Sequence, residues 1–283
     1  MPAYNASATI AEALRSVRAQ TYPGWELVVV DDGSTDATGA IARSYAERDA
    51  RIRVVSQANM GCGPARGVAV ERSTGDFICR LDADDFYVPD YLEAQRQFIT
   101  EHPGFDIYAC NGWRLFADGR RRLYHEGPRF KRVISLTLDD LLQESLVFTT
   151  SIFRRRIYGL AGGMRPDVYC EDYDFWLRAM SAGAKHIYNP RPLSFCRDSD
   201  TQMTADVVRI HECQIRVLGD AVRSGRLTPR QVEIARRSIS LLQHNLRFRR
   251  RALRLLGPAL ADRLFRVAHS MAWVIRPYRL RRR

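Results

Sequence analysis

Three groups of carboxylates have types and spacings suited to work on a charged ligand. Asp82-Ala83-Asp84-Asp85 ends the short apolar run Asp76–Leu81. Strand side chains alternate, so Asp82 and Asp84 point the same way. Such a pair suits a hard divalent cation, Mn²⁺ or Mg²⁺, which takes carboxylate oxygen and keeps positions open for phosphate oxygens. Standing alone, the run reads equally well as a solvated turn or as caps for a helix opened by Pro89. Asp31-Asp32-Gly33-Ser34 ends the run Trp25–Val30. It serves either as a strand-to-helix connection capped by Ser34 or Asp36, or as a carboxylate beside a docked base or ribose. Glu171-Asp172-Tyr173-Asp174 opens a helix, where the helix dipole alone favours acids. One of these acids suits a general base if burial beside Tyr169 and Trp176 keeps its pKa useful.

The elements that must position these groups alternate. Trp25–Val30 is a continuous apolar run, as in a strand covered on both faces of a parallel sheet. A helix is expected from Thr35 to about Asp49, with Ala37, Ala40, Ile41 and Tyr45 on its apolar stripe. A strand at Ile52–Val55, a helix through Arg66–Arg72, a strand at Asp76–Leu81 and a helix opened by Pro89 follow. This order predicts an open, doubly wound α/β sheet, mostly parallel and twisted, with helices on both faces. Ligands bind such sheets at the carboxyl ends of strands, where Asp31-Asp32 and Asp82–Asp85 both lie. Ser7, Thr9 and Glu12 suggest a capping box ahead of the stripe Ile10, Ala13, Leu14 and Val17. Only Met1–Asn5 precede that helix, so the first strand reads as truncated. Further on come a strand-like Phe105–Phe116, a basic loop from Gly119 to Arg132 and a helix about Leu138–Gln143. Short strands are expected near His186–Tyr188 and Leu193–Cys196. From Val207 the chain reads as helices, one opened by Thr228-Pro229-Arg230-Gln231. We therefore expect a domain over 1–206 and a basic helical extension over 207–283.

The net charge of +12 is unevenly spread. Residues 207–283 hold 19 Arg against 4 acidic residues, whereas residues 1–206 carry a net charge of −3. The positive charge thus belongs to the extension and not to the part holding the acidic motifs, which argues against a nucleic-acid partner. Basic amphipathic helices of this kind suit an anionic membrane surface, or else pack an apolar stripe on the domain with the arginines solvated. No leader is visible and no apolar run reaches membrane-spanning length, so a cytoplasmic protein, peripheral at the inner face of the membrane, is expected. The six cysteines are scattered, without metal-ligand spacing, and read as reduced thiols.

Taken together, the motifs resemble the inverting glycosyltransferases of family 2, which have the GT-A fold. The resemblance runs through Pro2-Ala3-Tyr4-Asn5, Gln20-Thr21-Tyr22, Trp25–Asp36, Asn59-Met60-Gly61, Ala65-Arg66 and Gly75–Ile78. It continues with Leu81–Asp85, Pro89 and Glu171-Asp172-Tyr173-Asp174-Phe175-Trp176-Leu177-Arg178, covering roughly residues 2–200. It implies transfer of a sugar from a nucleoside-diphosphate-sugar, a UDP-sugar first among them, to a saccharide or lipid-linked acceptor. Tyr4 and Asp32 would contact the base with Asp31 nearby, Arg66 the diphosphate, and Asp82 the ribose. Asp84 would hold the metal that neutralises the leaving diphosphate, Asp172 would deprotonate the acceptor, and Glu171 would orient acceptor or base.

This sequence departs from the family pattern in three ways. The first strand, usually complete before Pro-x-Tyr-Asn, is reduced here to its last residues. Arg197–Gln202 offers no histidine, so any extra metal ligand there would be an Asp. No Q-x-x-R-W signature accompanies the acids, which argues against a processive synthase. Two rivals are a non-catalytic nucleotide-sugar or carbohydrate-binding relative, and a sugar nucleotidyltransferase. The first should lack a carboxylate among Asp82, Asp84 and Asp172. The second should carry a Gly-rich basic loop where Pro2–Asn5 stands.

Overall fold

In the computed structural model, residues 1–144, 150–198 and 206–275 are described, with side chains as far as 255. The first half alternates β1 (Pro2–Ala3), α1 (Ile10–Arg18), β2 (Leu27–Asp32), α2 (Thr38–Ala46), β3 (Ile52–Gln57) and α3 (Cys62–Arg72). Then come β4 (Phe77–Cys79), β5 (Phe86–Tyr87), α4 (Tyr91–Glu101), β6 (Ile107–Leu115), β7 (Arg121–Leu123), β8 (Ile134–Leu136) and α5 (Leu138–Gln143). The remainder is β9 (Ser151–Arg154), α6 (Arg156–Leu160), α7 (Glu171–Ser181), β10 (His186–Arg197), α8 (Val207–Arg223) and α9 (Pro229–Ile275).

Strand β2 shows why an unbroken apolar run was needed. All six of its residues are buried. Leu27 and Val29 join Ile10, Leu14 and Val17 of α1 and Ala42 of α2 in one core. Val28 and Val30 face Ala65 and Ala69 of α3 in another. Both faces are therefore covered, and β1, β2 and β3 pair in parallel. The first strand is two residues long, with Pro2 opposite Val30 and Ala3 opposite Asp31. The second sheet, in the order β4-β9-β6-β10-β5, is mixed, with β6 and β10 parallel at its centre. β10 is one strand across both segments expected separately. Pro190 and Pro192 lack ladder N–H groups, and the pairing with β6 shifts register between Asn189 and Pro192 and again before Phe195.

Several local expectations are corrected by longer-range contacts. The capping box at α1 does not form: Thr9 donates its hydroxyl to the Ala6 carbonyl, and Glu12 pairs with Arg197. Helix α2 starts three residues later than expected and turns Thr38, Gly39 and Ala42 inward, leaving Ala37 and Ala40 exposed. The cause is Asp36, which accepts from the Thr38 amide at 2.9 Å and hydroxyl at 2.5 Å, while the Thr38 hydroxyl accepts from the Ala6 amide at 2.7 Å. The expectation of six reduced thiols fails at one pair. Cys170 and Cys213 form a disulfide, with Cα atoms 6.0 Å apart, joining the residue before α7 to α8. The remaining four cysteines are free. The cap at Thr228 forms as expected, with Gln231 answering it. Helices α8 and α9 add Cys213, Val217, Leu218 and Ala235 to the core that contains Phe175 and Trp176 of α7.

Glu26, just before β2, ties that strand to the entry of β4. Its carboxylate accepts from the Thr74 amide, the Thr74 hydroxyl at 2.8 Å, the Gly75 amide at 2.9 Å and Arg53 at 2.5 Å. Burial pushes this carboxyl up, but the Thr74 and Gly75 donors and Arg53 outweigh it and hold it at about 2, against an ordinary 4.5. A depressed carboxyl contributes stability that is present above the unfolded value and lost as pH falls through the folded one. Glu26→Gln should therefore cost about 1–2 kcal/mol at pH 7, allowing for partial exposure. In denaturant titrations the two proteins should converge between pH 4.5 and about 2.

Candidate active site

The site lies where the carboxyl ends of β2 and β4 meet the amino ends of α3 and α7. Asp32, 3% exposed, accepts from the Gln57 side chain at 2.7 Å and the Met60 amide at 2.9 Å on one oxygen, and from the Gly61 amide at 2.8 Å on the other. Gly61 is the residue that starts α3, so Asp32 fixes where that helix begins. Asp31 accepts from the Ser34 amide at 3.1 Å, and its other oxygen lies where a Cβ on Gly39 would stand. Tyr4 follows β1 one residue beyond the pair Ala3–Asp31 and is half exposed.

Arg66 leaves α3 toward two carboxylates at once. One guanidinium nitrogen donates to Asp82 at 2.5 Å and another to Glu171. The arginine is 8% exposed and Glu171 is 6% exposed. α3 comes this close to α7 because residue 63 is glycine: a Cβ there would stand 3.2 Å from the Arg165 carbonyl and 3.3 Å from Glu171 Cβ. Burial pushes the Asp82 carboxyl up, but the charges of Arg66 and Arg80 outweigh it and hold it below its usual range. For Glu171 the balance reverses: burial raises its pKa despite Arg66, and Asp172 adds to the rise. Beyond the pair, Asp85 is buried and accepts from the Arg197 amide at 3.0 Å. Burial, with the charges of Asp82 and Asp84 behind it, lifts the Asp85 carboxyl well above its ordinary value.

The acids of α7 divide in role. Asp174 is 1% exposed and held by Arg178 through two hydrogen bonds, at 2.9 and 2.6 Å. Glu171 is held by Arg66. Among the described residues Asp172 accepts a hydrogen bond from the amide of Tyr173 alone, at 2.7 Å, and its other oxygen stands 3.6 Å from Arg80. Its side chain keeps 17% of its exposure. Of the three, Asp172 is therefore the one whose carboxylate is open to a ligand.

Arg66, Asp82, Glu171 and Asp172 are thus brought into one cluster, while Asp32 holds the loop that leads into α3 and Asp31 holds the turn at Ser34. Arg66 is already committed to two acids, so a diphosphate would reach it by exchanging one of those pairs. Asp84 is half-buried between Asp82 and Asp85. Among the described residues no group of three or more His, Cys, Asp or Glu side chains is arranged to hold a metal. A hard cation beside Asp84 would therefore have to take most of its oxygen ligands from phosphate and water. Asp198, one of the acids considered as an extra ligand, pairs with Arg114 at 2.8 Å, and Asp200 lies outside the described residues. Two further members escaped sequence reasoning. Arg80 interrupts the apolar run Phe77–Leu81, an anomaly that was itself a signal. Tyr124 is close enough to Asp172 and Asp85 to feel their charge, and nothing in its basic loop announced this.

Residues 1–159 match the family model described as Glycosyl transferase family 2. The chain belongs to that family. A glycosyltransferase of Haemophilus influenzae without assigned specificity is 30% identical over 204 residues, 70% of this chain and 77% of that one. The Bacillus subtilis (strain 168) protein TuaG, named as a teichuronic acid biosynthesis glycosyltransferase, is 36% identical over 149 residues, 52% of this chain and 56% of that one. For EpsH of the same organism the figures are 38% over 115 residues, 41% of this chain and 33% of that one. The chain thus spans only 33–56% of the length of these two relatives. The fold agrees with that of S. aureus TarS 1–349 in complex with UDP-GlcNAc, with a TM-score of 0.70 and 22% identity over 84% of this chain and 70% of that one. It also agrees with the mannosyltransferase PcManGT of Pyrobaculum calidifontis in complex with GDP-Man and Mn²⁺, at a TM-score of 0.65 and 21% identity, covering 98% and 80%. The GT-A α/β fold expected from the motifs is the observed one, with helices at its carboxyl-terminal end.

Removing Arg66 should strand two carboxylates, one of them deeply buried. Arg66→Met is expected to lower stability by about 3–5 kcal/mol, read as a fall in the urea midpoint, because an unpaired buried charge costs more than the pair contributes.

Proposed function

We propose that this chain transfers a sugar from a nucleoside-diphosphate-sugar to an acceptor hydroxyl with inversion, assisted by a divalent metal. The single observation that carries the reading is Arg66, which joins the donor-side acid Asp82 to α7 beside the one open acid, Asp172. In this reading residues 1–206 form the transferase domain. Tyr4, Asp31 and Asp32 line the base end of the donor site, Asp82 takes the ribose and Arg66 the diphosphate. Asp84 holds Mn²⁺ or Mg²⁺, which when bound neutralises charge on the leaving diphosphate. Asp172 accepts the acceptor's proton as its oxygen attacks the anomeric carbon. The bond from that carbon to the diphosphate oxygen breaks, and its electron pair leaves with the nucleoside diphosphate. Attack opposite the leaving group inverts the centre. Glu171, fixed by Arg66, keeps the start of α7 in register. The donors UDP-GlcNAc and GDP-Man in the structurally similar enzymes support a nucleoside-diphosphate-sugar, of which we take a UDP-sugar first, and Mn²⁺ in one of them supports the metal. The name of TuaG supports an acceptor in cell-surface polysaccharide or glycolipid synthesis.

The extension 207–283 is read as the part that meets the membrane carrying a lipid-linked acceptor. None of the described helices is long and apolar enough to cross a membrane. Leu241, Phe248 and Leu255 are 43, 55 and 82% exposed. Their seven-residue spacing keeps them on one stripe of α9. Arg236, Arg237, Arg247, Arg250, Arg251 and Arg254 are exposed around that stripe. An apolar line edged by fixed positive charge suits an anionic lipid surface. The arginines of 276–283 and the side chains of 256–275 lie outside the described residues.

Asp172→Asn should lower turnover about 10³-fold, the range of a lost general base, while UDP binding persists. Asp84→Ala should abolish the Mn²⁺ stimulation of transfer. Both are read as UDP release from UDP-GlcNAc, or GDP release from GDP-mannose, with membrane extract as acceptor. Near-normal turnover of Asp172→Asn would overturn the assignment of the base. In a separate measurement, replacing Leu241, Phe248 and Leu255 together by Ser should release the protein from sedimenting phosphatidylglycerol vesicles at 0.1 M salt, without changing UDP release in solution.

A further inference from the structure

The acids at the start of α7 are answered by two arginines, and only one of them belongs to the family motifs above. Arg66 takes Glu171. Arg80 stands 3.6 Å from Asp172, and its guanidinium carbon lies 5.6 Å from the ring centre of Trp176, one turn further along the same helix. The side chain of Arg80 is 5% exposed, against 17% for Asp172 and 30% for Asp82. The arginine therefore sits behind the acids, which face the cleft, and is itself screened from a ligand. Its backbone is fixed on both sides: the amide donates to the Ser151 carbonyl at 3.2 Å and the carbonyl accepts from the Tyr87 hydroxyl. Trp176 is fixed in turn, 3% exposed and edge-on to Phe153 at 5.5 Å. Two guanidinium nitrogens of Arg80, Nε and Nη1, have no hydrogen-bond partner among the described residues. A buried cation with two unpaired donors is costly, and simple packing would be better served by an apolar side chain. Its charge also helps to hold Asp82 down, but among the described residues Asp172 is the one acid within ion-pair distance of it.

We propose that Arg80 is the positioning residue for Asp172, a rigid counter-charge that sets the carboxylate's orientation toward the acceptor. The inference rests on the reading of Asp172 as the base. The stack Phe153, Trp176, Arg80, Asp172 then runs from the core to the reacting oxygen. It supplies the third group that a catalytic base needs to hold its direction. Arg66 and Arg80 divide the work: one joins donor side to helix, the other aims the base. Trp176 and the backbone anchors deny Arg80 the freedom to follow Asp172, so the carboxylate must adapt to the arginine.

A double-mutant cycle tests this, with Arg80→Gln, Arg80→Lys, Asp172→Asn and the combination Arg80→Gln/Asp172→Asn. UDP release from UDP-GlcNAc is followed with Mn²⁺ and membrane extract, or GDP release from GDP-mannose if that donor proves active. UDP and GDP affinity are read by calorimetry. Arg80→Gln should lower kcat about 10²-fold with nucleotide affinity within about twofold of the parent. Added to Asp172→Asn it should cost less than twofold more, since it acts through a group already removed. Arg80→Lys, which keeps the charge without the fork, should recover about tenfold of the loss. The proposal is overturned if Arg80→Gln and Asp172→Asn multiply in full, or if the loss appears in nucleotide affinity with kcat unchanged. It is also overturned if Arg80→Gln turns over normally. Should Arg80→Gln not fold, Arg80→Lys decides: a kcat loss of about tenfold at unchanged affinity supports the role, and a parental kcat overturns it. A near-normal Asp172→Asn would instead overturn the underlying base reading, so the two failures are distinguishable.

Discussion

Arg66 lies buried between Asp82 and Glu171, and the geometry of the site depends on that double pairing. The two acids come from distant parts of the chain, one following β4 and the other opening α7. A single flexible cation would not join them firmly. A planar guanidinium fixes the direction of each nitrogen, so the two acids are held at one relative orientation. The pairing demands that α3 and α7 approach closely, which is why residue 63 carries no side chain. It also demands that α3 begin at one place, which Asp32 enforces through the amides of Met60 and Gly61.

Around this link the charges are arranged by burial. Asp82, pulled down by two arginines, remains an anion suited to accept hydrogen bonds from a sugar hydroxyl. Asp85, its carboxyl lifted by burial and by its neighbours, accepts from the Arg197 amide and fastens the segment there. Two acids of one motif, three residues apart, therefore have opposite protonation tendencies, because one faces guanidinium groups and the other faces acids. Along α7 the same logic separates Asp174, whose oxygens are taken by Arg178 and Arg165, from Asp172, whose carboxylate stays partly exposed. Helix-dipole preference explains why acids collect at such an end, but not which of them stays open.

The corrected expectations share one cause. Ser7, Thr9 and Glu12 are a good local cap, yet Glu12 is drawn to Arg197, far along the chain. The stripe of α2 was displaced because Asp36 and Thr38 bind the loop at Ala6 in preference to continuing a helix from Thr35. Cys170 and Cys213 are 43 residues apart, a separation that carries no signal until α7 and α8 pack together. In each case a side chain that looked locally assigned found a stronger partner across the fold.

What the sequence by itself determined is the order of elements and the location of the chemistry. The apolar run of β2, buried on both faces, required helices on each side of a parallel sheet. The position of acids at strand ends and at the opening of α7 required a site at that edge. These features follow from periodicity and spacing, which are local and legible. Tertiary structure alone decided which acid is paired, which is buried and which is open. Arg80 could be seen as an oddity in an apolar strand, but its meaning depended on Asp172 and Trp176 arriving from nearly a hundred residues away. Charge pairing and desolvation depend on distances across the fold, and no stretch of sequence contains those distances.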